Sequence, residues 1–305
     1  MASNPPNRRA LVTGATGFVG SHLVKHLVHT GWDVGIIVLP GSSLQSLGDA
    51  QHRVSAFPHD GTMAGMQDIA ASFPPDVAFH LASLFLSQHR TEDVDQLLTS
   101  NVLFATQLVE ALTATTCTRF VNIGTSWQHF EGDGYNPVNL YAATKQAFDD
   151  ILRYYLEATP LKAITLTLFD TYGPADPRRK LISLLHDAAE SGSRLQMSPG
   201  EQRIDLVHVD DVVAAMIRAA TLLETQECAL ARYGVSSGQA PSLKDLVALI
   251  ERIVGKPLNI EWGGRPYRPR EVMQPTCPYP TLPGWQPQIK LEHGLRQTMG
   301  LPGDN

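Results

Sequence analysis

The sequence predicts an α/β protein: a doubly wound parallel sheet carrying a smaller C-terminal substrate lobe. Three observations predict it. Short apolar runs alternate with longer amphipathic segments from residue 10 to residue 169. This is the rhythm of βαβ units, whose right-handed crossovers put helices on both faces of one sheet. A glycine-rich turn joins the first apolar run to the first amphipathic segment. After residue 170 proline and glycine rise, at Gly173-Pro174, Pro177 and Pro199-Gly200. At roughly 150 residues per domain, a chain of 305 divides into two units. The boundary falls near Thr171. Residues 1–171 form the sheet domain and 172–305 mainly the lobe, with about 204–235 returning to the sheet domain.

Ala10-Leu-Val12 is the first strand and 18–30 the first helix. Strands follow at 33–39, 54–57 and 77–82, each a short apolar run. Residues 63–72, and a longer stretch from about 94 to 112, read as helices. A strand at 120–123, a helix at 140–157 and a strand at 164–169 complete the alternating half. In the second half, 181–189, 212–223 and 243–254 read as helices, and 206–209 and 233–235 as short strands. Residues 263–284, rich in proline and aromatics, read as irregular. Neither an internal repeat nor a low-complexity tract is present.

Composition narrows the function. Hydrophobic residues at 43% and charged residues at 18% fit a folded globular chain and exclude wholesale disorder. A net charge of −6, with no Lys/Arg-rich block, argues against nucleic acid as a partner. Cys117, Cys228 and Cys277 are widely spaced and form no CxxC pair. That argues against a disulfide scaffold or cysteine zinc site and suits a reducing, cytoplasmic setting. The first residues lack the apolar core of a signal peptide, and the first seven read as a loose tail. The apolar run Gly35-Ile-Ile-Val-Leu39 is too short to span a membrane.

The turn Thr13-Gly-Ala-Thr-Gly-Phe-Val-Gly20 places glycines at 14, 17 and 20. Gly14 permits the tight bend, Gly17 lets a pyrophosphate approach the backbone, and Gly20 lets helix and strand pack closely. The N–H groups that open the helix hold the anion, aided by the helix dipole. Between a strand and a helix, this is the Rossmann dinucleotide turn rather than an ordinary βα connection. The second strand ends Leu39-Pro-Gly-Ser-Ser43, with no acid to hold the ribose 2′-hydroxyl of NAD. Ser42 and Ser43 offer hydroxyls to a 2′-phosphate, with Arg53 nearby. NADP(H) is favoured, with NAD(H) the alternative.

Tyr141 and Lys145 are four residues apart on a helix, so they share a face. A tyrosine moves protons poorly at neutral pH unless a neighbouring ammonium stabilises its phenolate. So assisted, it exchanges a proton with a carbinol oxygen. Thr125-Ser126, closing a strand, supplies a hydroxyl to orient that oxygen.

The glycine turn, this hydroxyl and the Tyr–Lys pair, with His80-Leu-Ala-Ser83, Tyr172-Gly-Pro174 and Val209-Asp-Asp211, resemble the extended short-chain dehydrogenase/reductase family, the NAD-dependent epimerases and dehydratases. The likeness runs from about Ala10 to Leu295. It implies a nucleotide-activated sugar as substrate. It implies Ser126 as the catalytic hydroxyl, with Thr125 the near alternative, Tyr141 as acid/base and Lys145 as its partner. It places Thr16, Phe18, Val19, Phe169 and Thr171 around the cofactor and Asp60-Gly61 at the adenine. Leu81, Ala82 and Ser83 become the wall beneath the dinucleotide, and Asn101 a buried support, or alternatively a packing polar group.

Family dehydratases carry acidic residues directly after the hydroxyl position. Here Trp127-Gln128 follow Ser126, which disfavours elimination. A 4-ketoreductase and a 4-epimerase with retained NAD remain. The wording around Ser126, Tyr141 and Tyr172 is most similar to the 4-ketoreductases of nucleotide-activated deoxyhexoses, the group of the CDP-paratose and CDP-abequose synthases. Tyr141 follows Ser126 by only fifteen positions, a shorter spacing than in most epimerases of the family. The resemblance also implies a homodimer through helices at 91–114 and 139–157. A non-catalytic dinucleotide sensor or scaffold, and reduction of a non-sugar carbonyl, rank behind.

Asp170 stands where many members have asparagine, and a carboxylate facing a diphosphate repels it. Arg268 resembles the diphosphate-clamping arginine of the lobe, a bidentate task suited to a guanidinium. Lys180 and Leu181 are expected along the nucleotide pocket. Arg203 and Arg270 are candidates against the alternative of solvated surface charges. His22, His26 and His29 share a face of the first helix but lack a carboxylate or cysteine at ligand spacing, so no metal is expected. His80 and His208 read as satisfied core histidines, and Asp210 and Asp211 as caps of the following helix.

Overall fold

The computed structural model describes residues 8–132, 134–227 and 229–302. The tail expected over the first seven residues, and Cys228, lie outside them. The chain opens on β1 (Arg9–Thr13), turns through the glycines into α1 (Phe18–His29) and returns as β2 (Asp33–Val38). A kinked 3₁₀ stretch, Gln45–Arg53, leads to β3 (Val54–Pro58), α2 (Met63–Ser72) and β4 (Val77–His80). One helical rod follows in three parts: α3 (Val94–Leu98), a π turn (Thr99–Leu103) and α4 (Phe104–Thr113). β5 (Arg119–Thr125), α5 (Leu140–Ala158) and β6 (Lys162–Leu168) complete the alternating half. Then come β7 (Asp170–Tyr172), α6 (Leu181–Ser191), β8 (Leu195–Met197), β9 (Leu206–His208) and α7 (Val209–Leu222). β10 (Leu230–Val235), α8 (Leu243–Val254), β11 (Ile260–Trp262) and α9 (Leu291–Thr298) follow.

The main sheet has seven strands in the order β10-β6-β5-β4-β1-β2-β3, every neighbouring pair parallel. Strand order reverses between β1 and β4, where Thr13 lies level with His80. Loops diverge there to opposite faces and leave a crevice at the carboxyl ends of the strands. One face is covered by α1 and α7, whose Leu23, Val24, Leu27, Val212 and Met216 share a core with residues of β1, β2, β5 and β6. The other is covered by α2, α4 and α5. A third core, built from α6, α8 and α9, holds the lobe together. Although they follow residue 171, α7 belongs to the first core and β10 pairs with β6.

Local chemistry explains the helices. Ser242 and Asp245 form a reciprocal cap on α8, Leu246, Val247 and Ile250 are buried along one stripe, and Gly255 ends it at φ +72°. The helix after β9 starts at Val209 rather than 212, because His208 caps it, its Nδ1 accepting from the Asp210 N–H at 3.3 Å. This corrects the expectation that Asp210 and Asp211 serve as caps. Asp211 is buried, and its carboxylate accepts the N–H groups of Gln288 and Ile289, each at 3.0 Å. Nor are the core histidines fully satisfied. His80 Nδ1 meets Thr13 Oγ1 at 2.9 Å, but His80 Nε2 and His208 Nε2 have no hydrogen-bond partner among the described residues.

Candidate active site

The glycine turn is shaped by what a side chain would strike. Gly14 has φ +68°, and a Cβ there would lie 2.7 Å from Ala82 N, in the chain leaving β4. A Cβ on Gly20 would run into the Gly14 carbonyl oxygen, so helix and turn could not close. Gly17 is the N-cap of α1 and, having no side chain, leaves the first helical N–H groups without a side-chain cap. Such an N-terminus is an anion cradle. Thr13 Oγ1 accepts from the N–H groups of Leu81 and Ala82 at 3.2 and 3.1 Å, tying the β4 exit beside the turn. A cavity of about 250 Å³ lies here, bordered by Gly14, Gly17, Phe18, Val19, Leu81 and Ser83.

Thr125, Ser126 and Tyr141 line the same cavity. Thr125 Oγ1 accepts from Trp127 N at 3.3 Å, capping the short turn Ser126–Gln128. Ser126 borders this cavity and also a larger one of about 1160 Å³. Asn139 caps α5, its Oδ1 accepting from Ala142 N at 2.9 Å, and so places Tyr141 in the first turn. Tyr141 is buried; that burial pushes its phenol up to about 12, while a hydrogen bond with Ser83 and the Arg178 cation oppose the rise. Burial lowers Lys145 to about 8, against the pull of the Asp149 carboxylate. Lys145 lies behind the cavity wall rather than on it.

The larger cavity runs from Ser126 into the lobe. Phe169, Asp170 and Thr171 line both cavities, and Leu181, Arg203 and Arg268 line the larger one. Asp170 faces Lys180, with Oδ1 3.8 Å from Nζ, so its charge is partly compensated. Lys180 Nζ also stands 4.7 Å from the centre of the Phe85 ring, and Arg268 5.5 Å from that of Trp127. Arg268 pairs with Glu271 at 2.9 Å. Arg203 donates to the Ala240 carbonyl at 2.8 Å, and Arg270 to Asn136 Oδ1.

Other expected residues stand apart from both cavities. Thr16, Leu39, Ser42, Ser43, Asp60 and Gly61 follow the carboxyl ends of β1, β2 and β3. Asp60 is engaged by Thr62, whose N–H and hydroxyl both donate to it at 2.8 Å and hold its carboxyl below the usual range. Asn101 supports rather than lines, bonding Leu84 N at 2.7 Å and Thr144 Oγ1 at 2.9 Å. Arg53 is not near the ribose position. It donates to the Val28 carbonyl at 3.0 Å, at the far end of α1 from the glycine turn. Sequence reasoning missed Phe85 and Arg178. Phe85 meets Tyr141 edge-on at 5.0 Å. The Arg178 guanidinium lies 4.6 Å from the centre of the Phe18 ring and is held by Asp176 at 2.7 Å. Nothing in Pro177-Arg-Arg-Lys180 distinguishes the arginine that turns inward.

A sequence model of the NAD dependent epimerase/dehydratase family matches residues 10–229. CDP-abequose synthase of Yersinia pseudotuberculosis is 26% identical over 272 residues, spanning 89% of this chain and 93% of that protein. UDP-glucose 4-epimerase of Mycolicibacterium smegmatis is 29% identical over 311 residues, spanning 95% of this chain and 97% of that protein. The solved structure of MoeE5 in complex with UDP-glucose and NAD superposes with a TM-score of 0.82 at 25% identity, covering 96% of this chain and 97% of that one.

Proposed function

This chain belongs to the NAD dependent epimerase/dehydratase family, and on that premise we propose that it reduces the 4-keto group of a nucleotide-activated 6-deoxy or dideoxy sugar. One observation carries the reading. Ser126 borders both cavities and Tyr141 lines the glycine-turn one beside it, while the two positions after Ser126 offer no carboxyl group. Gln128 is buried, accepting from Thr125 N at 2.9 Å and donating to Asp149 at 3.1 Å. It is not free to remove water from a sugar. Support for the substrate class comes from the CDP-abequose synthase relative, from UDP-glucose bound to MoeE5, and from Lys180 and Arg268 along the larger cavity.

The uncapped N-terminus of α1 and the bare backbone at Gly14 and Gly17 fit a dinucleotide pyrophosphate. Bound there, a nicotinamide supplies the hydride. Tyr141, protonated at neutral pH, donates its proton to the C4 oxygen as that oxygen gains charge. The Lys145 ammonium, one helical turn away, stabilises the phenolate left behind. Ser126 Oγ donates a hydrogen bond to the same oxygen and orients it. We read the reductant as NADPH, since no carboxylate at the end of β2 repels a 2′-phosphate and Ser42 and Ser43 offer hydroxyls to it.

A 4-epimerase with retained NAD is the second reading, favoured by the 29% identity to UDP-glucose 4-epimerase. The experiment is the absorbance of the purified protein, then its 340 nm trace with NADPH or NADH and a 4-keto-6-deoxy nucleotide sugar. Oxidation of added NADPH, with little cofactor bound at the outset, is expected. Bound NAD with no net change at 340 nm, but interconversion of UDP-sugars, assigns the epimerase. If neither occurs, the nucleotide-sugar assignment is abandoned.

A further inference from the structure

Asp149 is a buried carboxylate with no part in the chemistry described above. It lies one turn beyond Lys145, on the same face of α5, and is 3% exposed. Three elements converge on it. From β5, Asn122 Nδ2 donates to Oδ1 at 2.8 Å. From the Ser126–Gln128 turn, Gln128 Nε2 donates to Oδ2 at 3.1 Å. From β10, the Arg232 guanidinium stands 3.7 Å from Oδ2 and is itself bonded to the Tyr279 hydroxyl at 3.1 Å. Burial raises its carboxyl above the ordinary range, while the Arg232 cation, the Gln128 amide and Lys145 oppose the rise and favour the carboxylate. Taking this charge out of water is costly, and its donors and the Arg232 cation offset part of that cost.

We propose that Asp149 is a positioning residue for the reaction: its carboxylate, held by Arg232, Asn122 and Gln128, keeps the Lys145 ammonium charged beneath Tyr141. This rests on the Tyr141–Lys145 assignment above. The same carboxylate anchors Gln128, whose Oε1 accepts from Thr125 N at 2.9 Å. One acid thereby fixes both the strand end that presents Ser126 and the charge behind Tyr141. Other titratable groups face this cluster. His80 looks at Lys145 from β4 and is held neutral by its burial. Asp150 adjoins Asp149 on α5, and Arg232 and Tyr279 close the far side. Of these, Asp149 is the group that opposes the loss of charge at Lys145.

The test reads the lysine directly. The full-length protein, labelled with ¹³C at lysine Cε, is titrated by NMR, and the Lys145 signal is assigned by its loss in Lys145→Met. The wild-type midpoint is expected near 8. In Asp149→Asn it falls by about one pH unit or more, a tenfold change in the equilibrium, and Asp149→Glu restores it. The alkaline limb of the NADPH-oxidation rate moves with it. An unmoved midpoint in a folded Asp149→Asn protein overturns the proposal. Should that variant not fold, Asp149→Ser carries the same comparison, since it keeps an oxygen for Asn122 in a smaller side chain. The titration needs no substrate. A failed ketoreductase assay with a shifted lysine therefore removes the reaction and keeps the proposal.

Discussion

Burial raises the Tyr141 phenol to about 12 and lowers the Lys145 ammonium to about 8, so at neutral pH both groups hold the protons that the proposed reduction requires. Tyr141→Phe removes the proton donor and leaves the glycine turn untouched. Turnover should fall about 10²-fold or more, while NADPH binding, followed by nicotinamide fluorescence, stays at the wild-type value. Unchanged turnover removes the acid/base assignment. Lys145 gives a second outcome with the opposite sign for stability. Its folded value lies below the ordinary 10.5, so between about pH 8 and 10 the unfolded chain binds more protons and stability rises with pH. Activity falls across the same window as the ammonium is lost. Denaturant melts should show wild type gaining stability relative to Lys145→Met as pH rises from 7 to 10, and a constant difference contradicts the burial of a charged lysine. These two residues were legible because one helical repeat joins them. Phe85 and Arg178 were not, since each reaches Tyr141 from a loop that only the folded chain brings near.

Elements were legible in proportion to how much of their order is local. α2 and α8 fall at 63–72 and 243–254, as their own residues indicate, because cap, apolar stripe and C-terminal glycine of α8 all lie within its sequence. β7, β8 and β11 were missed, since each is a three-residue segment without the continuous apolar run that marks β9, and each forms only by pairing with a distant partner. α9 was missed because only Gly294 and Leu295 of its eight residues are buried, leaving no stripe to read. The long helix was foreseen from about 94 to 112 and runs to Thr113, but its π turn was not foreseen. That turn carries the buried Asn101, which bonds Leu84 N, Leu84 O and Thr144 Oγ1. π turns collect at functional sites, and this one holds the loop bearing Phe85 against α5. Asn101→Ala leaves buried partners unmatched and should cost about 1–3 kcal/mol. It should also raise KM for the sugar substrate more than Kd for NADPH. Thermal unfolding with steady-state kinetics checks both, and an unaltered melting temperature shows that the loop is anchored elsewhere.

Across the molecule, the larger cavity has one wall at Ser126 and Asn139 beside the main sheet and another at Ile182, Leu206 and Leu243 of the α6–α8–α9 core, so its shape depends on how the sheet and that core are fastened. The chain from Leu282 to Ile289 makes the connection. Leu282 and Trp285 sit in the core beneath α1 and α7, whereas Leu295 and Met299 belong to the lobe core. Asp211 on α7 fixes the crossing point, its carboxylate taking the N–H groups of Gln288 and Ile289 and its carbonyl taking Trp285 Nε1 at 2.9 Å. Two backbone donors on one buried carboxylate are worth more than two ordinary hydrogen bonds, because the acceptor is charged. Asp211→Ala should therefore destabilise the protein by about 3 kcal/mol. Asp211→Asn, which keeps one accepting oxygen, should lose about half of that. Thr298 of α9 lines the larger cavity, whereas no residue of the 282–289 segment borders the glycine-turn cavity among the described residues. The loss should therefore reach nucleotide-sugar binding before cofactor binding. Calorimetry in parallel with titrations of NADPH and of a nucleoside diphosphate measures the order. Equal weakening of both ligands would mean that the clamp supports the fold as a whole rather than the seating of the lobe.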